Sequence, residues 1–463
     1  MMNFTWLQEN ALVIAFYLAV ALIIYFNRKK FEFQGIAALF KTKFGIKQMK
    51  KFATPLSKKK DSFGGLLFKI SLVVLVVSLV FFIFNSFVGV FNVGFNLLFL
   101  IIVMLSFLSL CVSIIFFRQI KLAGILGIYV GVLGMIFMLG LVGVGIYQLF
   151  FVPDADPLFA PVFPGISIPG VPFKLPLFEG LIALLVVVVI HEFSHGVVSK
   201  AYKISIKSSG FVMLGPLPGA FVEPDEKKLA KASAKKQLSI YAAGPFSNIL
   251  LAGFVYILMF FLMIVSSAMY APQGVLVEGF IPDSDLDERG LNQLQEGEVI
   301  KKVNNEDVLT TSDLINLTSN LGPGEDVLFT TNKGDRVISL GAHPDNESVP
   351  FIGIYLDNNV VGQNAVSQNQ VFTTFYFWLV GNPFSIDLNK NLGLIALIFV
   401  LSFGIGIVNL LPAGPLDGGR MFFIYFKKRI GEKKTLRILS NISWALLFII
   451  LVLIFSPIIG AIF

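Results

Sequence analysis

Long runs of hydrophobic residues alternate with short polar segments along most of the chain. Each run approaches the roughly 20 residues with which an α-helix crosses a bilayer. The runs cover residues 11–26, 66–84, 97–117, 122–151, 181–198, 240–270, 392–411 and 438–463. The pattern predicts an α-helical polytopic membrane protein with about eight transmembrane helices.

The first four of these helices lie within residues 1–151, and none has an ionisable residue deep in its hydrophobic run. This favours a structural role. Gly127 and Gly131 have the four-residue spacing of small residues that lets membrane helices approach closely. A surface that faces a substrate is the alternative. Cys111 is the single cysteine and excludes an internal disulfide.

Residues 274–357 have a different pattern, with short β-branched runs such as GVLVEGFI and EVIKKVNN separated by Gly, Asp and Asn. Such runs are typical of strands joined by turns. The segment resembles a PDZ domain, in which a strand and a short helix precede a hairpin and a second helix; a generic β domain is the alternative. In PDZ domains a peptide adds to an edge strand. The following linker, 358–391, contains the aromatic segment 372–381, which is too short to span and is expected at the membrane interface.

Composition supports the membrane class, because 56% of the residues are hydrophobic and 14% are charged. Soluble domains average about 45–50% and 25%. The net charge of +7 is unevenly distributed. Residues 27–62 contain 11 Lys or Arg and two acidic residues, a local charge of +9, whereas residues 274–357 contain five basic and 16 acidic residues, a local charge of −11.

The positive-inside rule places the basic loop 27–62 in the cytoplasm. Both chain termini, the Pro-rich loop 152–178 and the acidic domain are then expected outside. Because membrane orientation accounts for the basic residues, the lipid bilayer is an expected partner and nucleic acid is not. No removable signal peptide is expected, since the first hydrophobic run looks like an anchor.

The candidate chemistry begins at HEFSH, residues 191–195, within the fifth hydrophobic run. His191 and His195 are four residues apart, so a helix places both imidazoles on one face within reach of a single Zn²⁺. Glu192 then lies beside the metal, where it can take a proton from water. A charged group at the centre of a membrane helix costs roughly 2.5–3.5 kcal/mol, so the motif requires compensation. Histidines hydrogen-bonded within a helix bundle are the alternative.

A third ligand is needed for such a metal, and the remaining histidine, His343, is excluded because it belongs to the outer domain. The candidate is Asp417 in NLLPAGPLDGGR, residues 409–420. The prolines and glycines of this stretch break a helix, which is tolerated at membrane depth where protein or a cavity satisfies the backbone. A helix cap at the cytoplasmic surface is the alternative for Asp417.

These residues together resemble the site-2 proteases, which are intramembrane zinc metalloproteases. That family pairs an H-E-x-x-H helix with a distant N-x-x-P-x-x-x-x-D-G motif, which is matched here by Asn409, Pro412, Asp417 and Gly418. AGPFSN, residues 243–248, is similar to the family's G-P-x-x-N. The stretch 210–226 looks like the membrane-dipping β-hairpin of the family, and an inserted PDZ-like domain also fits.

The resemblance implies one Zn²⁺ per chain, bound by His191, His195 and Asp417, with Glu192 as the general base. Asn409 would orient or stabilise the scissile carbonyl. The substrate backbone would contact Asn248 and the hairpin residues Gly210, Phe211, Gly219, Ala220 and Phe221.

The expected organisation is a zinc-binding helix, a re-entrant hairpin at 208–223 and a following helix within residues 179–270. The last two helices, within 392–463, carry the third ligand. His191 is nine residues from Lys200 at the cytoplasmic end, or about 13 Å of helix, so the zinc site is expected within the membrane toward the cytoplasm.

The implied function is hydrolysis of membrane-anchored proteins in or near their transmembrane segments, as in regulated intramembrane proteolysis. The outer domain would admit substrates already shortened by another protease. A membrane transporter and a PDZ-like scaffold are the alternatives. A prokaryotic cell membrane is the favoured location, and the sequence makes no prediction of the oligomeric state.

Overall fold

The computed structural model describes residues 4–35, 37–88, 93–152, 158–159, 163–166, 175–214, 217–281, 290–343, 346–364, 366–385 and 392–462. Its helices are α1 (Phe4–Phe26), α2 (Ile46–Ala53), α3 (Lys58–Val88), α4 (Val93–Ile115), α5 (Ile120–Phe151), α6 (Leu177–Ala201), α7 (Glu226–Ala230), α8 (Ala234–Met269), α9 (Thr311–Ser319), α10 (Gln370–Val380), α11 (Leu394–Val408), α12 (Asp417–Ile430) and α13 (Glu432–Ile462). Most of the predicted Pro-rich loop 152–178 falls outside the described residues.

Within the described residues, six helices are long and apolar enough to cross a membrane, namely α3, α4, α5, α6, α8 and α13. The first and seventh predicted spans correspond to the shorter apolar stretches Val13–Phe26 and Leu394–Val408. The 15 residues of α11 extend about 22 Å, less than a hydrocarbon core of about 30 Å. The polytopic helical class is therefore confirmed, whereas the count of eight spans stays a prediction.

The chain divides into two compact units, Met1–Ile257 with Leu397–Phe463, and Leu258–Ala396. The first unit contains a four-stranded antiparallel sheet in the order β1-β2-β3-β4. Its strands are β1 (Glu32–Gln34), β2 (Ala37–Thr42), β3 (Ile206–Leu214) and β4 (Leu217–Pro224). The predicted hairpin is present as β3 and β4, and its tip, residues 215–216, lies outside the described residues.

The predicted basic loop 27–62 supplies the other two strands of this sheet. β2 pairs with β3 over six residues, with Phe40 opposite Phe211 and Lys41 opposite Gly210. A Cβ on Gly210 would overlap the carbonyl oxygen of Phe40, so only glycine permits this close approach. The sequence pattern of alternating loop and helix did not predict this pairing.

Helix α2 from the same loop packs on α6. The side chain of Met49 is buried and fills the space that a Cβ on Gly196 would need. A buried cluster joins Met49 to Val197, Val198 and Ile240, which brings α2, α6 and α8 together. The segment before the second predicted span is therefore part of the structure that supports α6, the helix that carries His191 and His195.

The second unit contains a six-stranded sheet in the order β12-β5-β6-β8-β9, with β7 paired to β6. The strands of this unit are β5 (Tyr270–Phe280), β6 (Val299–Val303), β7 (Glu306–Asp307), β8 (Asp326–Thr331), β9 (Gly334–Ser339), β10 (Gly341–His343), β11 (Asn346–Phe351) and β12 (Ile354–Gly362), of which β10 and β11 form a separate pair. Asn304 and Asn305, at φ 48° and 69°, form the tight turn between β6 and β7.

All four predicted strands are present: β5 contains most of GVLVEGFI, β6 most of EVIKKVNN, β8 most of EDVLFTT and β9 most of RVISL. Their inward-facing aliphatic residues and Phe329 form the core of the unit with Leu314 of α9. The sheet begins at Tyr270 and ends at Gly362, so its outer strands extend beyond the predicted range 274–357. The aromatic segment predicted at the interface forms α10, and Tyr376 from it exchanges a 2.8 Å hydrogen bond with Ser266 of α8.

Candidate metal centre

Helix α6 carries both histidines of HEFSH on one face. It begins after Pro176, with Glu179 in its first turn and Lys200 in its last. An acidic residue at the start and a basic residue at the end interact favourably with the helix dipole. One turn apart, His191 and His195 are 6% and 8% exposed, and their Nε2 atoms are 3.2 Å from each other. The predicted pairing of the two imidazoles is thus present.

Asp417 approaches these nitrogens from the start of α12. Its Oδ2 lies 3.1 Å from Nε2 of His191 and 3.2 Å from Nε2 of His195, and the residue is 8% exposed. The cap position of α12 is Leu416, so Asp417 does not serve as the helix cap that the alternative required.

Two glycines after Asp417 allow the broken segment before α12 to fold back against it. A Cβ on Gly418 would overlap the carbonyl of Leu410, and one on Gly419 would overlap the carbonyl of Ala413. The N–H of Gly418 donates to the carbonyl of Asn409 at 2.7 Å. The N-x-x-P-x-x-x-x-D-G spacing therefore closes a compact turn that delivers the carboxylate to the histidines.

The donor set fits a zinc ion. In the described part of the chain, His191, His195 and Asp417 form a buried group whose ligand atoms all lie within 4.8 Å of one another. Two imidazoles and a carboxylate, with one position left open, are typical of catalytic zinc. A tetrahedron with ligands about 2.0–2.1 Å from zinc has edges of about 3.3 Å, close to the separations found here.

Helix α8 leaves room for this cluster and orients one of its members. A Cβ on Gly244 would overlap Nε2 of both histidines, so glycine is required at this position. Nδ1 of His195 lies 2.6 Å from the carbonyl oxygen of Ile240. Because a carbonyl only accepts hydrogen bonds, Nδ1 carries the proton and Nε2 offers its lone pair to the cluster.

Asn248, one turn beyond Gly244, is fully buried behind His191. Its amide Nδ2 is placed 3.1 Å from Nδ1 of His191, and its backbone carbonyl accepts a 2.9 Å hydrogen bond from Ser402 of α11. The predicted contact of Asn248 with substrate backbone stays a prediction, since the described partner of its amide is a histidine.

The side chain of Glu192 extends toward the sheet. Its Oε2 accepts a 3.0 Å hydrogen bond from the backbone N–H of Val222 on β4. Asn409, by contrast, uses its side-chain amide within its own helix turn, donating to Ile405 at 3.0 Å. The catalytic roles predicted for these two residues stay predictions.

The five hairpin residues predicted to contact substrate lie on two strands, the inner strand β3 and the edge strand β4. Gly210 and Phe211 lie on β3, which is paired on both sides. Gly219, Ala220 and Phe221 lie on β4, and no described strand pairs with its outer edge. A cleft of about 750 Å³ is lined by the end of β4 and by residues of α7, α8, α12 and α13.

Sequence reasoning missed several contributors to this site. The carbonyl of Ile240 has no sequence signal, because any residue supplies a backbone acceptor. Gly244 is the glycine of the AGPFSN motif, and a glycine within a helix could have indicated a close approach of another helix. Arg420 follows the DGG turn, and its guanidinium lies 5.3 Å from the ring centre of Tyr241 at the wall of the cleft.

The cluster combines two histidines on an apolar helix of spanning length with a buried aspartate, and a glutamate follows the first histidine; this is the donor set of a catalytic zinc site in a membrane protein. The model of Peptidase family M50 matches residues 179–452, more than half of the chain. The chain belongs to this family, which confirms the resemblance to the site-2 proteases.

Three relatives illustrate the match. An uncharacterized protein of Methanocaldococcus jannaschii is 26% identical over 271 residues, 58% of this chain and 62% of the relative. A putative zinc metalloprotease of Clostridium acetobutylicum is 23% identical over 339 residues, 60% of this chain and 97% of the relative. Zinc metalloprotease RasP of Geobacillus kaustophilus is 26% identical over 235 residues, 44% of this chain and 53% of the relative.

The chain thus spans less than two thirds of the length of the first and third of these relatives. Among solved structures, the PDZ domain of an SdrC-like protein from Listeria monocytogenes is similar over 18% of this chain and 87% of its own, with 21% identity and a TM-score of 0.16.

Proposed function

We propose that the protein is an intramembrane zinc endopeptidase that cleaves membrane-anchored proteins in or near their transmembrane segments. The observation that carries this proposal is the convergence of His191, His195 and Asp417, whose ligand atoms lie within 4.8 Å of one another. Two of the three belong to a helix of membrane-spanning length. Membership of a peptidase family supports the same conclusion.

His191, His195 and Asp417 would hold the zinc ion. When bound, zinc lowers the pKa of water to about 7 and polarises a peptide carbonyl. Glu192 takes the proton from the attacking water and then passes it to the leaving amine. Its place in the chain, directly after the proposed ligand His191, would keep its carboxylate beside a bound metal. Asn409 would assist at the scissile carbonyl.

A transmembrane substrate must unwind locally before its backbone is accessible, because a helix satisfies its own backbone groups. The outer edge of β4 is suited to accept the unwound stretch as an added strand. Since Val222 directs its N–H to Glu192 and not to β3, Ala220, two residues earlier, has its backbone groups on the same outer edge.

Two prolines support this assignment of the edge. Pro218 and Pro224 lie at even-numbered positions of β4, in the same alternation as Ala220 and Val222. A proline has no N–H to donate and is accepted on an edge strand when its nitrogen faces outward. The N–H of Ala220 is then the donor that β4 offers to a substrate without breaking an existing bond.

The cleft of about 750 Å³ would receive the part of the substrate beyond β4. One of its walls carries the acidic residues Glu223 and Glu226, and the other carries Arg420, Lys427 and Lys428. Such walls suit a polar, extended segment better than an intact apolar helix. Gly219 and Phe221 direct their backbone groups to β3. They would therefore hold β4 in place without a hydrogen bond to the substrate backbone.

The orientation proposed for this site follows the distribution of charge. The basic segment 27–62 is cytoplasmic, the acidic segment 274–357 and both termini are outside, and the zinc site lies within the membrane toward the cytoplasm. The second unit, proposed to be PDZ-like, would restrict access to substrates already shortened by another protease.

A paired measurement of zinc content and cleavage tests the function. The full-length protein, purified in lipid nanodiscs, is expected to bind one zinc ion and to cleave a single-span substrate. Glu192→Gln is expected to retain the zinc and to lose cleavage by roughly 10²–10⁴-fold, because glutamine cannot accept the proton. Glu179→Gln, the same change in the first turn of α6, is the matched control. Equal cleavage by both variants would refute the role of Glu192 as the general base. A zinc-loaded wild-type protein that cleaves no substrate would refute the proposed hydrolysis and favour a transporter or scaffold.

A further inference from the structure

One stripe of α8 faces the two imidazoles of α6. Ile240, Gly244 and Asn248 are spaced four residues apart, so they lie on the same face of α8 over two turns. Ile240 offers its carbonyl to Nδ1 of His195, and Gly244 leaves room for both Nε2 atoms. Asn248 completes the stripe with its amide 3.1 Å from Nδ1 of His191.

The chemistry of His191 decides which amide atom must face it. The Nε2 of His191 points to Asp417 and to His195, so this nitrogen is the one available to a metal. A neutral imidazole that donates its Nε2 lone pair carries its proton on Nδ1 and needs an acceptor there. The nitrogen of an amide cannot accept, whereas its oxygen can.

The amide of Asn248 is free to present that oxygen. Its Oδ1 is buried and has no hydrogen-bond partner among the described residues. No second bond therefore opposes a 180° rotation of the amide, and the nitrogen and oxygen of an asparagine are assigned from their hydrogen-bond network. The backbone of Asn248 is meanwhile held in place by Ser402 of α11.

We infer that Asn248 is a positioning residue for the metal ligand His191. Its Oδ1 accepts the Nδ1–H of His191, as the carbonyl of Ile240 does for His195, so that α8 fixes the tautomer of both histidines. Asn248 then acts through His191 and does not need to touch the substrate. This inference rests on the proposed zinc site and adds the group that orients it.

Metal affinity tests this inference independently of cleavage. Zinc dissociation constants are measured by competition with a chelator on the full-length protein in nanodiscs, together with the visible spectrum of the Co²⁺-loaded protein. Asn248→Leu removes the acceptor at similar volume and is expected to weaken zinc binding by roughly 10–100-fold. Asn248→Asp restores an acceptor in nearly the same shape and is expected to return both affinity and the Co²⁺ spectrum to the wild-type range.

The neighbouring Ser247→Ala is the matched control, because the Ser247 hydroxyl donates to the backbone carbonyls of Gly244, at 2.8 Å, and of Ile190, at 3.5 Å, and to neither histidine. It is expected to leave the affinity unchanged. If Asn248→Leu does not fold, Asn248→Ala takes its place with the same expectation.

Wild-type affinity in the leucine or alanine variant would overturn the inference, and so would an aspartate variant that binds as weakly as they do. A wild-type protein that binds zinc but cleaves no substrate would refute the proposed function while the affinities still decide the role of Asn248. A wild-type protein that binds neither metal would overturn both.

Discussion

The carboxylate of Glu192 accepts a hydrogen bond from the backbone N–H of Val222 at 3.0 Å. This bond joins the helix that carries both histidines to β4, whose outer edge pairs with no strand among the described residues. The predicted general base thus lies between the candidate metal centre and the strand to which a substrate would add. A substrate that pairs with β4 would arrive next to the carboxylate that is proposed to activate water.

Replacing Gly244 by alanine is expected to disrupt the metal centre. The added Cβ would overlap Nε2 of both histidines, so zinc affinity should fall by roughly 10–100-fold, the range seen when the surroundings of metal ligands are disturbed. Chelator competition measures the change. Gly140→Ala on α5, where a Cβ would meet nothing within 4 Å, is the control and should bind zinc normally. Equal affinities would show that the site tolerates this side chain.

Removing the N–H of Ala220 is expected to weaken substrate binding. Ala220→Pro deletes one donor on the outer edge of β4, and a typical net hydrogen bond corresponds to a loss of about 3–10-fold in kcat/KM. The loss should appear chiefly in KM, with zinc content unchanged. Ala220→Val keeps the N–H and should cleave normally. A proline variant with wild-type kinetics would count against strand addition at β4.

Excising the inserted sheet tests whether it restricts access. The N–H of Gln363 donates to the carbonyl of Met269 at 2.8 Å. The residues that flank segment 270–362 are therefore adjacent in space and can be joined directly. Joining Met269 to Gln363 removes all strands of the second unit, β5 to β12, whereas a cut at 274–357 would leave the ends of β5 and β12. The variant is expected to cleave full-length substrate that the wild-type protein refuses. Continued refusal, with pre-shortened substrate still cleaved, would contradict the proposed screening role.

The capping box of α9 predicts a pH-dependent local stability. Hydrogen bonds from the side chain and backbone of Thr310 hold the pKa of Asp313 below its ordinary value of 3.8. Because the folded pKa is the lower one, the charged carboxylate stabilises the cap fully above the ordinary pKa of 3.8, and this stabilisation is lost as the pH falls through the folded pKa. Protection of the α9 amides against hydrogen exchange should decrease over the same pH range.

The same cap gives a mutational test. Thr310→Ala removes the hydroxyl that accepts from the N–H of Asp313 and should reduce the local stability of α9 by about 1 kcal/mol. Thr310→Ser keeps a hydroxyl and is the control. If the α9 amides exchange equally slowly in the Thr310→Ala and Thr310→Ser variants, the hydroxyl does not contribute to the cap.

Local patterns predicted much of the fold and of the candidate site. The i, i+4 spacing of His191 and His195 places both rings on one face in any α-helix, which is why this pair needed no tertiary information. Asp417 was accessible for a different reason: a carboxylate beside a broken helix at membrane depth has few physical explanations. The strands of the second unit followed from their short β-branched runs and the Gly, Asp and Asn residues that separate them.

The pairing of distant segments was not accessible in the same way. β2 and β3 are separated by more than 160 residues, and nothing in the local pattern of residues 37–42 selects a partner. Without that pairing, both edges of the predicted hairpin looked equally open. In the structure, β2 pairs with the outer edge of β3, and no described strand pairs with the outer edge of β4. Ala220 therefore lies on an edge strand and Gly210 on an inner strand, although both were predicted to contact substrate.

Helical period was enough to predict the apolar helices and the pairing of the two histidines, because each depends on neighbours within a turn or two. The candidate acidic ligand, Asp417, followed from residue chemistry, since a carboxylate beside a broken helix needs compensation. The orientation of those histidines depends on which groups of α8 face them across the helix interface. Ile240 contributes a backbone carbonyl that every residue has, and the role of Asn248 depends on the ring nitrogen opposite it. Those contacts arise only when the helices pack, because hydrogen-bond partners that are distant in sequence are selected by proximity in space.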